Sequence, residues 1–89
     1  MVSTAKVGEA FWRGDKARGS SVHSEGDKLF SYATIILQRL RNGVVIGNAT
    51  KYSITTSKHQ SQCRVNDAGE ILTGIPIGTQ DLRQYYSNL

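Results

Sequence analysis

Between two runs of β-favouring apolar residues stands the dipeptide Asn42-Gly43. Both residues tolerate positive φ, so this pair closes a two-residue hairpin more readily than almost any other, with a twist that suits the strands it joins. Upstream, Tyr32, Thr34, Ile35 and Ile36 are β-favouring types. Downstream, Val44-Val45-Ile46 and then Thr50-Lys51-Tyr52-Ser53-Ile54 read as the returning strand, with Gly47-Asn48 as a bulge or second turn. Residues 28–41 also carry a helical stripe, because Leu29, Tyr32, Ala33, Ile36, Leu37 and Leu40 recur at spacings of three and four. The turn dipeptide and the β-favouring residues decide for strands, and hence for an antiparallel β-meander.

The rest of the chain is punctuated by glycine. Gly14, Gly19 and Gly26 break up residues 13–27, and the run from Arg13 to Ser21 reads as a polar loop. Before it, Val7, Ala10, Phe11 and Trp12 form a short apolar segment whose type the pattern leaves open. Beyond Ile54, a Thr or Ser can cap the first free amides of a helix, which predicts a surface helix over about 56–67, ending before Gly69. Gly74 and Pro76 make Ile71 to Ile77 a loop or an edge strand. Thr79 then caps an expected C-terminal helix over about 79–88, with Leu82, Tyr85, Tyr86 and Leu89 on one face, either as core or as the contact of a homodimer. The expected fold class is α+β: a small antiparallel β-meander packed with these two helices, in a single domain spanning residues 1–89.

A chain of 89 residues builds only a thin core and leaves little room for a deep cleft. One cysteine, Cys63, precludes an internal disulfide framework. The first residues are not followed by the apolar run of a signal peptide, and no stretch approaches the roughly 20 apolar residues that span a bilayer. The expectation is a protein of a cell's cytoplasm with no membrane partner, in which the sequon Asn48-Ala49-Thr50 carries no sugar.

Charge is the more informative quantity, because the net +4 is unevenly spread. Residues 1–27 balance Lys6, Arg13, Lys16 and Arg18 against Glu9, Asp15, Glu25 and Asp27. From Lys28 to Asn66 there are six basic residues and no Asp or Glu. Such a stretch predicts a positive surface able to meet phosphates or an acidic protein patch. Arg39 and Arg41 alternate with Leu40, which on a strand puts both on one face. Lys51 from the neighbouring strand, and Lys58 and Arg64 from the following helix, complete an expected basic face, with Tyr52 and His59 in the same stretch. Contact with nucleic acid through such a face is mainly with phosphates, and Tyr32 and Tyr52 are the aromatics placed to stack on bases.

Two further motifs bear on chemistry. His59 and Cys63 are four apart and share a helix face, the spacing of two metal ligands or of a thiol and its base. The only other His or Cys is His23, and nothing marks an orienting residue or an oxyanion hole, so no metal, cofactor or catalytic role is expected. Ser53, Thr55, Thr56, Ser57 and Lys58 gather at the expected helix start, where free amides and the helix dipole favour a phosphate oxygen. No Gly-x-x-x-x-Gly-Lys precedes them, which argues against nucleotide hydrolysis.

The run Leu29-Phe30-Ser31-Tyr32, followed by the stretch from Asn48 to Gln60, resembles a family of short uncharacterised proteins encoded by phages, plasmids and archaeal viruses, over roughly residues 10–65. The resemblance implies no catalytic residue. It implies a small accessory protein of a mobile element acting in a host cytoplasm. Two functions are consistent with it: a non-enzymatic module engaging nucleic acid or a nucleoprotein through the basic face, and an anti-CRISPR-like inhibitor that docks on a host defence protein.

Overall fold

Ser3 opens the chain's first helix. Its side chain accepts a hydrogen bond from the Lys6 amide, and α1 runs over Thr4–Arg13 until the Gly14 N–H turns back to the carbonyls of Ala10 and Phe11. The structure is a computed structural model that describes residues 2–86. The buried face of α1 is Val7, Gly8, Ala10 and Phe11, the spacing of one helical stripe. Thus the apolar segment of undecided type is a helix, and the expected polar loop after it holds two strands, β1 (Lys16–Arg18) and β2 (Val22–Glu25). β3 (Lys28–Ser31), β4 (Thr34–Arg39) and β5 (Val45–Asn48) follow. From β1 to β5 each strand pairs antiparallel with its neighbour, and the sheet ends in β6 (Glu70–Leu72), parallel to β5. A parallel neighbour needs a crossover, supplied by α2 (Ile54–Gln62) and a 3-10 turn at Val65–Asp67. The fold is α+β, with the meander the turn signals predict. Among the described residues no helix is long and apolar enough to cross a membrane.

The Asn-Gly turn differs from expectation by one residue. Leu40 N–H bonds to Val44 O and Gly43 N–H to Leu40 O, so the loop is Arg41-Asn42-Gly43, with positive φ at Gly43 and not at Asn42. This is the three-residue alternative, in which a tight turn is followed by one left-handed residue. Asn42 contributes through its side chain, whose Oδ1 accepts from Val44 N–H.

Both faces of the sheet are covered. Helix α1, through Val7 and Phe11, and the segment after α2, through Cys63 and Val65, lie over Val22, Leu29, Ile36, Leu37 and Val45 on one side. On the other, Ile75 and Leu82 from the C-terminal segment pack on Phe30, Ile35, Leu40 and Ile46. β4 therefore buries residues on both faces, and a β-bulge adds to its helix side. The pairing of β3 with β4 steps from Leu29–Leu37 to Phe30–Ile35, so Ile36 has no partner and consecutive Ile36 and Leu37 enter the same core.

Close approach is sharpest at Gly47 in β5. A Cβ there would lie 2.7 Å from the Val65 carbonyl oxygen and 2.9 Å from Val65 Cγ1. Gly47→Ala should destabilise the domain by about 2 kcal/mol through overpacking against backbone. Urea denaturation checks this, and a midpoint equal to wild type would show that the 3-10 turn yields freely.

Among the described residues the expected C-terminal helix over about 79–88 does not form. Thr79 cannot begin one, because the carbonyl that a helix N-cap gives to its own first turn accepts instead from Ile35 N–H, and the Thr79 hydroxyl donates to Pro76 O. Gln38 on β4 then clamps the chain: its Nε2 donates to Asp81 and its Oε1 accepts from Leu82 N–H. What remains is a 3-10 turn over Leu82–Tyr85. Leu82 is buried and Tyr86 packs beside it, while Tyr85 is exposed, so the stripe does not form one face. Leu89 lies outside the described residues.

Candidate functional site

Residues 49–53 have no regular structure, yet a buried polar network pins them. Asn48, fully buried at the end of β5, donates through Nδ2 to Ile35 O and to Tyr52 Oη, both at 2.9 Å, and accepts from Thr50 N–H through Oδ1 at 3.0 Å. Tyr52 Oη in turn donates a hydrogen bond to Ile75 O at 2.6 Å. Gln60 of α2 reaches back to the carbonyls of Asn48 and Thr50 at 2.7 and 3.0 Å. The expected second half of a returning strand is thus a loop, because its polar side chains bond to carbonyls that a ladder would otherwise occupy.

Ser53 closes the loop by capping α2, its Oγ accepting from Thr56 N–H at 3.1 Å. The helix starts at Ile54, two residues earlier than predicted, and ends at Gln62 because the chain tightens into the 3-10 turn. Thr56, His59 and Gln60 turn inward. Ile54, Ser57, Lys58 and Ser61 turn outward at spacings of three and four and, with Lys51, Tyr52 and Ser53, line an open hollow of about 510 Å³. A second hollow beside it shares Lys51, Ser57 and Ser61. Among the described residues no carboxylate lines either one. The two ammonium groups therefore face solvent without a neutralising partner in the wall, next to the positive end of a helix dipole.

The other residues of the predicted basic face lie elsewhere. Arg39 ends β4 and turns onto α1: Nη2 donates to Phe11 O at 2.8 Å and to Trp12 O at 3.3 Å, and the guanidinium carbon stands 4.7 Å from the centre of the Phe11 ring. It caps the C-terminal end of α1, a structural task for a cation. Arg41 is not on a strand with Arg39; it is exposed in the β4–β5 turn, sharing a hollow with Arg83. Arg64 follows α2, with its guanidinium 5.5 Å from the centre of the Trp12 ring and its Nε 3.9 Å from Asp67. Only Lys51, Tyr52 and Lys58 come together. Of these, Tyr52 has its hydroxyl already committed to Ile75 O.

His59 and Cys63 face inward but toward different partners. The His59 Nδ1 and Ser31 Oγ are 2.7 Å apart in a buried contact. Burial holds the imidazole pKa below its ordinary value and so favours the neutral ring. The Tyr32 ring lies over it, with centroids 5.7 Å apart. Cys63 is fully buried against Gly8 of α1, with Sγ 3.6 Å from Thr4 O, and burial pushes its thiol up to about 11. A thiol so placed is packing rather than a nucleophile.

Ile54 and Ser61 were not among the expected site residues. Their signal was present, since Ile54, Ser57, Lys58 and Ser61 share one helix face once α2 begins at 54. Ser31, the partner of His59, carries no local signal because it comes from a strand 28 residues away. Comparison of the chain with protein-family models, with curated proteins and with solved structures finds no match.

Proposed function

We propose that this chain is a non-enzymatic binding module that engages nucleic acid, alone or within a nucleoprotein, through the hollow at the start of α2. The observation that carries the reading is the convergence of Lys51 and Lys58 on one carboxylate-free wall with Ser53, Ser57 and Ser61. Two ammonium groups with no ion pair among the described residues and the hydroxyls of Ser57 and Ser61 form a donor set for phosphate oxygens, read by charge and hydrogen bonds rather than by base identity, while the Ser53 hydroxyl stays committed to Thr56. Binding is favoured over chemistry because His59 and Cys63, the side chains best suited to chemistry, are buried and tied to the core. The resemblance to mobile-element proteins supplies the setting, a host cytoplasm.

The double variant Lys51→Glu, Lys58→Glu tests the reading. Both side chains are exposed, so the melting temperature should stay within the range of ordinary surface substitutions. Affinity for DNA or RNA should fall at least tenfold at low salt, and the slope of log K against log salt should flatten by roughly 1.4 to 1.8, the loss of two phosphate contacts. An unchanged slope would remove this hollow from the interface.

A second reading rests on a different observation. Ile54 in the same hollow is 80 % exposed and Ile77 in the loop after β6 is 77 % exposed, apolar surface that fits a protein partner. It corresponds to an inhibitor docking on a host defence protein. Recovery of the tagged chain from its host with a protein that survives nuclease treatment would favour it over the first.

A further inference from the structure

Tyr32 is a large aromatic residue where the backbone asks for glycine. It sits in the two-residue turn between β3 and β4 with φ of 55°, in the left-handed region. Glycine or asparagine enters that region readily, and a bulky side chain does so only under strain. The conformation is held from both sides: Tyr32 N–H donates to Ser21 O at 2.7 Å, and the preceding Ser31 is fixed to His59. Strain of this kind is ordinarily offset by burial of the side chain, yet Tyr32 is 56 % exposed. Its ring leans on the His59 imidazole at a tilt of 44° and presents the remainder to solvent. A backbone strained to display an aromatic ring points to use of that ring.

The ring's position relative to the hollow gives that use. Lys58 adjoins His59 in sequence and is turned from it by about 100° around the axis of α2, toward solvent. Tyr32 packs on His59, the residue that follows Lys58 in α2, and Lys58 shares its hollow with Lys51, so the exposed ring and the two ammonium groups are joined through adjacent residues of one helix. A strand whose phosphates meet Lys51 and Lys58 has an exposed aromatic plane on the same helix for one of its bases. Bases of a duplex are stacked on one another and unavailable to such a plane, whereas those of a single strand are free.

We propose that the nucleic acid engaged at this hollow is single-stranded and that one of its bases stacks on Tyr32. This rests on the phosphate-binding reading above and adds the class of partner. Tyr52, the other aromatic in the basic stretch, is half-buried and anchored through its hydroxyl to Ile75 O, so it offers a base less open ring than Tyr32 does.

The test compares two probes of equal charge: a thymidine oligonucleotide of about ten residues, a length within the usual footprint of one small domain, and an abasic oligonucleotide of the same length. A uridine oligonucleotide run alongside separates RNA from DNA as the source. The wild-type chain should bind a base-bearing strand about tenfold more tightly than the abasic one. Tyr32→Gly should erase that preference by weakening the base-bearing strand alone, with no loss of thermal stability because the strain is relieved, and Tyr32→Phe should keep it. Equal wild-type affinity for base-bearing and abasic strands, or a preference that survives Tyr32→Gly, overturns the stacking proposal. If both strands are then weakened by the Lys51 and Lys58 reversals, the phosphate-binding reading stands without it. Absence of binding to any of the three probes overturns both.

Discussion

Asn48→Leu is expected to destabilise the domain by about 4 kcal/mol, the sum of roughly two buried polar groups left without partners. Leucine keeps the branched heavy-atom skeleton of asparagine and leaves no cavity, so what is lost is hydrogen bonds and not packing volume. The Ile35 carbonyl and the Thr50 amide each lose the partner that Asn48 supplies, and Tyr52 loses a donor to its oxygen. Because Tyr52 and Gln60 continue the network to Ile75 and α2, the loop carrying Lys51 loosens together with the fold. For a domain whose whole stability is of order 5–10 kcal/mol, the melting temperature should fall by about 20 °C. Calorimetry of the variant beside Tyr52→Phe, which removes one hydroxyl and should cost about 1 kcal/mol, checks the scale. A difference of less than 1 kcal/mol for Asn48→Leu would mean that water replaces the side chain at no cost.

Arg39→Glu should destabilise by about 3 kcal/mol, although the residue is a surface-type cation. The change strips the donors from the Phe11 and Trp12 carbonyls and sets a carboxylate against the negative end of the α1 dipole. It also ends the stacking of the guanidinium on Phe11. The ion pair with Asp27, 3.6 Å long and with Asp27 three-quarters exposed, contributes little. Arg39→Lys should recover part of the loss, since an ammonium can reach one carbonyl but lacks the fork that reaches two. Amide exchange read along α1 distinguishes a lost cap, which frays Phe11 and Trp12 first, from global weakening. Nucleic-acid affinity of whatever fraction stays folded should be unchanged, because Arg39 does not line the hollow that holds Lys51 and Lys58.

Arg39 also shows where reading the chain residue by residue stops. Alternation placed Arg39 and Arg41 on one strand face, but β4 ends at Arg39, and a helix that the pattern left undecided lies over it. Helix α1 was hard to see because its stripe holds only four buried residues and one of them is Gly8, which weakens helical propensity while permitting the close approach of Cys63. β1 and β2 were hidden for another reason: Lys16, Arg18 and Glu25 face solvent, and strands three or four residues long give alternation little length in which to appear. By contrast, β4 and β5 were legible from their β-branched residues and the turn between them. At the site, Lys51 and Lys58 line one hollow because a short loop, not the expected strand, and one helix face bring them together locally. The departures of Arg39, Arg64 and His59 all depend on partners from distant parts of the chain, Phe11, Trp12 and Ser31.

The covering of the sheet's second face has a consequence in time. Hairpins among β1 to β5 join neighbours in sequence and can form as the chain lengthens, but Phe30, Ile35 and Ile46 wait on Ile75 and Leu82 for their cover. During synthesis, therefore, a nearly complete sheet emerges with one greasy side bare, and it stays bare until residues 75–82 leave the ribosome. That interval, rather than the finished fold, is when this domain is most exposed to aggregation and to chaperones.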